Sequence, residues 1–95
     1  MIIKRMTLCK GDIPLPSVVQ EAIFDCEVNP LDTDGLLKEV LQSNKLDNID
    51  VLVVYVTGLT VVLIAVLNAC RMLGIKVFLK HYNRDNNSYY TQEVL

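Results

Sequence analysis

The amino-acid sequence predicts an α/β fold: a small Rossmann-like layer with a mostly parallel sheet and a C-terminal antiparallel β-hairpin, in one domain over residues 1–95. Three observations carry that prediction. The apolar run VLVVYVTGLTVVLIAVLNAC, residues 51–70, divides at Thr57-Gly58 into a β-branched half and a helix-forming half. Before it lie two segments with helix start signals. After it, the turn NRDNNS separates IKVFLKHY from YYTQEV, which reads as a hairpin.

Taken in order, Met1 to Leu8 is rich in Ile and Met and leaves into CKGD, so it reads as a first strand ending in a Gly-containing loop. Ser17 to Gln20 has capping-box spacing, and Val18, Val19, Ala22, Ile23 and Cys26 share one helical face, predicting a helix broken at Asn29-Pro30. Asp32 or Thr33 caps the next helix, in which Leu36, Leu37, Val40 and Leu41 repeat the spacing until SNKLDN ends it. A Rossmann-like chain places a strand between two such helices, and only Phe24 to Val28 would supply it.

Residues 51–56, VLVVYV, look like a strand buried on both faces of a parallel sheet. From Thr60 the chain is apolar enough for three to four helical turns, with Gly74 as the stop, and Ile75 to Tyr82 forms the next strand. On that helix Thr60, Ile64, Asn68 and Arg71 fall in one narrow arc, and the remaining surface is apolar. A sheet covers one side of such a helix, and a second copy of the chain is the expected cover for another, which predicts a homodimer. The competing reading of residues 51–70 is a membrane span, since about twenty apolar residues cross a bilayer. It would leave both capped helices and the hairpin without a sizeable core, so no membrane association is expected.

A net charge of −2 and a pI near 5.2 argue against coating of long nucleic acid through a basic face. Cys9, Cys26 and Cys70 are odd in number and widely spaced, and the chain has one histidine, so neither a disulfide framework nor a metal site is expected. Reduced thiols and the lack of a secretory signal pattern at the start point to a cytoplasmic protein without cofactors.

In open α/β sheets ligands sit beyond the carboxyl ends of strands, where the amides of a helix start face outward. Thr57, Gly58, Leu59 and Thr60 occupy that place, with Gly58 allowing close backbone approach and the two threonine hydroxyls either donating to a phosphate or capping the helix. Thr7, Cys9, Lys10 and Gly11, after the first strand, form the second edge of the site, and Lys10 offers it a cation or is an ordinary solvated lysine. The hairpin's tyrosines and Arg84 either stack on bases and pair with phosphates or stabilise the hairpin as cross-strand pairs. His81 is the default general acid or base by its pKa range. No nucleophile elbow, Walker motif or paired-carboxylate cluster accompanies it.

The run VVYVTGLT followed by an apolar helix resembles the strand, Thr-Gly loop and helix start of the CRISPR-associated Rossmann-fold domains, known as CARF, which sense cyclic oligoadenylates. The likeness covers residues 51–74 and, more loosely, the first strand and its loop. It implies a symmetric homodimer in type III CRISPR signalling whose paired loops cradle a ring of four or six adenylates. Some members of that family are ring nucleases that cleave the ring without metal, using its own 2′-hydroxyl, and others only bind it. By the same likeness Thr57, Gly58 and Thr60 match the Thr-Gly loop, and Thr7 or Lys10 matches the first ligand loop. Leu59 and Thr60 stand where many members carry a lysine or arginine, so Lys10 or Arg84 would have to replace that cation; with His81 they are the candidate catalytic residues. The alternative is a dimeric structural or interaction module with no nucleotide ligand.

Overall fold

The computed structural model describes residues 1–9, 16–17, 19, 21–24, 29, 31–57 and 60–95. Its elements run β1 (Ile3–Thr7), β2 (Glu21–Ala22), α1 (Thr33–Gln42), β3 (Val51–Tyr55), α2 (Thr60–Leu73), β4 (Lys76–Asn83) and β5 (Ser88–Glu93). The five strands form one sheet in the order β2-β1-β3-β4-β5, parallel except for the final β4–β5 pair. This is a small mixed α/β fold, compatible with a Rossmann-like layer.

Both helices pack on one face of the sheet. The connections β2–α1–β3 and β3–α2–β4 advance across the sheet in the same direction, so the usual right-handed crossover puts both on the same side. Register aligns Met6, Val54 and Leu79 on that side, and Leu52 and Val77 one pleat away, all of them buried. Against them lie Val62, Ala65, Val66, Ala69 and Cys70 of α2, with Leu36 and Val40 of α1.

Local sequence explains where the elements stop. Asp32 caps α1 through its carboxylate, which accepts from the Gly35 amide at 2.9 Å. Beyond the helix, Asn44 takes a positive φ of 60°, a conformation that asparagine tolerates better than most side chains. Gly74, at φ 71°, ends α2 in the left-handed region, where a β-carbon would be strained.

Three sequence expectations need correction. The helix predicted from Ser17 through Cys26 is not the fold of its described part, because Glu21–Ala22 is a strand parallel to β1. Its carbonyls are taken elsewhere: the Lys45 ammonium donates to Ala22 O at 2.8 Å and Ile23 O at 3.2 Å. The amides of Ile23 and Phe24 donate back to Thr7 and Leu8 carbonyls at 2.8 and 2.9 Å. The extra strand of a Rossmann-like chain is therefore present, but it begins at Glu21 and not at Phe24; residues 25–28 lie outside the described ones.

β3 is buried on both faces only at its carboxyl end. Leu52 and Val54 are fully covered, whereas on the other face Tyr55 is buried but Val51 and Val53 are only half-buried. Finally, the arc Thr60, Ile64, Asn68 and Arg71 is exposed as expected, but α1 and the sheet already bury Val62, Ala65, Val66, Ala69 and Cys70, leaving Val61, Leu63 and Leu67 half-buried and Met72 and Leu73 exposed. Much of the cover expected from a second copy is thus supplied within the chain by α1. No helix among the described residues is long and apolar enough to cross a membrane.

Candidate functional site

The chain runs from β1 outward to β2 and then returns past β1 to β3, so the strand order reverses between β1 and β3. In open sheets such a reversal leaves a crevice at the carboxyl ends of the two strands, since their loops depart in opposite directions. Thr7 ends β1, and Tyr55 is its partner across the register. Thr57 lies two residues further on.

Side chains join the two strand ends. The Thr57 hydroxyl donates to Cys9 O at 2.7 Å, and its oxygen lies 2.6 Å from Thr7 Oγ1. Thr7 Oγ1 also approaches Cys9 O at 3.1 Å and Tyr55 O at 3.3 Å, while the Cys9 amide donates to Thr57 Oγ1 at 3.3 Å. Each hydroxyl carries a single proton. With Thr57 committed to Cys9 O, the short Thr7–Thr57 contact is best made by the Thr7 proton. Both threonines are 3% exposed, so these bonds are shielded from water and rigidly hold the loop after β1 against the end of β3.

That geometry assigns the two threonines a role distinct from the one read from sequence. Their protons are used inside the protein, and they position backbone instead of presenting donors to a ligand. Thr60 opens α2 and is exposed. Cys9 is partly buried beside the threonines. Lys10, Gly11, Gly58 and Leu59 lie outside the described residues.

The remaining candidates do not converge there. His81 is on β4 and points to the helix-bearing face, opposite Thr7 and Tyr55, by strand alternation from the Tyr55–Lys80 pair. Its Nε2 lies 3.0 Å from Gln92 Oε1, and its ring stacks on Tyr90 with centroids 5.1 Å apart. Arg84 is exposed in the turn between β4 and β5. Of the eight ligand-site residues, the structure brings Thr7, Cys9 and Thr57 into contact, and it separates His81 from them by face.

The hairpin reading of Tyr82 and Tyr89 as a cross-strand pair holds, but it missed that Tyr55, on the same face as Thr7, joins them. Tyr55 meets Tyr89 edge-on at 5.0 Å, and Tyr89 meets Tyr82 at 5.2 Å. Tyr82 is anchored by its hydroxyl, which donates to Asn87 Oδ1 at 2.8 Å. Burial, reinforced by the neighbouring Tyr82 and Tyr55, raises the pKa of Tyr89, which favours its neutral, donating form. Alternation along β3 and β4, combined with the hairpin register, was the signal that would have placed Tyr55 with them.

Among the described residues no group of three or more His, Cys, Asp or Glu is placed to hold a metal ion. Two described surface hollows lie away from the β1–β3 crevice. One is beneath Leu46, Ile49 and Ile75 at the amino ends of the strands, and the other is between α1 and α2. Comparison of the chain with family models, curated proteins and solved structures found no match in any of the three.

Proposed function

We propose that this chain is a homodimeric receptor for cyclic oligoadenylate, with the ligand seated on the β1–β3 crevice of each protomer. The observation that carries the reading is the reversal of strand order between β1 and β3, at the strand end where VVYVTGLT leads into α2. A helix start beside such a crevice offers outward amides to a phosphate. The Thr7–Thr57 pair supports it by fastening Cys9, just past β1, to Thr57, just past β3, which holds the two strand ends in place before any ligand binds.

Four adenylates bring about four negative charges to an acidic dimer, so local amides and cations must outweigh long-range repulsion, and affinity falls as salt rises. Cleavage of the ring is a second step, read directly as linear product. The test is a melting curve with cyclic tetra- and hexa-adenylate, with chromatography of the mixture. Stabilisation with either ring supports the proposal, and no shift and no product with both would end it. On this reading Gly58→Val abolishes binding while the protein stays folded, because a side chain at the glycine of the Thr-Gly motif would occupy the phosphate's space.

The alternative, an interaction module without a nucleotide, is favoured by one finding: the Thr57 proton is already spent on Cys9 O and the Thr7 proton on Thr57 Oγ1. Unchanged melting with both rings would select it.

A further inference from the structure

The sheet face away from the helices combines cations and rings in a regular order. Lys76, Phe78, Lys80 and Tyr82 alternate with buried Val77 and Leu79, so all four project from the same face of β4. Successive members are about 6.6 Å apart along the strand, and the row spans about 20 Å. Beside it on the same face lie Arg5 and Val53 at the level of Phe78, and Tyr55 and Tyr89 at its far end.

Sorting charge by face changes what the chain's overall acidity implied. Among the described strand residues this face carries Arg5, Lys76 and Lys80 against Glu93 alone, on a chain whose net charge is −2. A second copy laid on it would bring cation against cation. An anionic partner with flat apolar rings meets both the charge and the aromatic surface.

We infer that this open face binds single-stranded nucleic acid over three to four nucleotides, with bases stacked on Phe78 and the Tyr82–Tyr89 pair and phosphates paired with Lys76 and Lys80. Base-on-ring stacking beside a cationic track tolerates any base, because every base has a π-face. The extent of the row matches the lower end of single-strand site sizes. The rings are ready: Tyr82 is held by Asn87 and braced by Tyr89. Lys76 sits 5.5 Å from the Phe78 centroid in an exposed pair with Glu93 at 2.7 Å. Such exposed pairs contribute little, so a base displaces the ammonium from the ring at small cost and leaves it beside the following phosphate.

This site is separate from the cyclic-ligand crevice and stands or falls without it. The experiment is fluorescence anisotropy of the full chain with labelled eight-nucleotide poly-U, poly-dT and a duplex of equal length. Both single strands bind and the duplex does not compete. With two to three phosphates neutralised, affinity falls about 7- to 18-fold between 50 and 200 mM salt. Lys76→Gln with Lys80→Gln weakens binding about tenfold or more and flattens the salt slope, while Phe78→Leu keeps an apolar side chain and loses the stacking contribution, also about tenfold. Gly58→Val leaves this binding intact, which separates it from cyclic-ligand recognition. Absence of binding at 100 μM strand, equal affinity for duplex, or full affinity in both folded variants overturns the inference.

Discussion

The two faces of the sheet are built from the same strands yet differ in kind. On one, Met6, Leu52, Val54 and Val77 are completely buried beneath α1 and α2. On the other, Val51, Val53 and Phe78 are half-covered, Ile3 is 43% exposed, and lysines alternate with rings. The difference shows that an unbroken apolar strand does not require two covers. β-Branched residues serve the pleat on the open side, where exposure of single apolar side chains is tolerated.

The largest expected contrast is between neighbours in β3. Leu52→Ala costs about 2–5 kcal/mol, because truncation leaves a cavity in a close-packed layer. Val53→Ala, on the open face, costs about 1 kcal/mol from lost burial alone. Equal losses by chemical denaturation would show that the open face is covered in solution. Next is Thr57→Val, which keeps the shape but strands the Cys9 amide and removes a buried donor. It costs about 1–3 kcal/mol, or about 4–8 °C in Tm per kcal/mol for a domain of this size. An unchanged Tm would mean that the hydroxyl pair does not fasten the two strand ends.

The smallest effect is one of pH. Burial pushes the Cys70 thiol from its ordinary 9.0 up to about 12. Unfolded chains ionise this group from about pH 9 while the native layer keeps it protonated, so its contribution is whole below pH 9 and is lost as pH rises toward 12. Tyr89, on the open face, is raised for the same reason and acts in the same direction. Cys70→Ala should therefore reduce, without abolishing, the alkaline decline in Tm. An identical decline in both proteins would refute the burial of Cys70.

Much of this architecture was legible in the residues. β1, the Asp32 cap of α1, the division of residues 51–70, the Gly74 stop and the hairpin each have a local cause, and local causes are visible in sequence. The helix expected from Ser17 through Cys26 failed at Glu21–Ala22, where the chain pairs as an edge strand instead. Helices of so few turns draw most of their stability from packing. Here pairing with Thr7 and Leu8 and the Lys45 ammonium decided the matter, and all three partners are distant or separately folded. In the candidate site, the positions of Thr7 and Thr57 were foreseen from strand ends, but the fate of their protons was not. It depends on a 2.6 Å contact that no spacing rule contains.

The interior place of β1, between β2 and β3, also governs how the sheet is assembled. Its partner in β3 lies 48 residues further along the chain, as from Ile3 to Val51. Pairings of such separation pay loop-closure entropy before any reward and slow the search for the native state. The shorter-range pairing of β1 with β2 carries less of that cost, so the crevice between β1 and β3 depends on the more remote of the two partners.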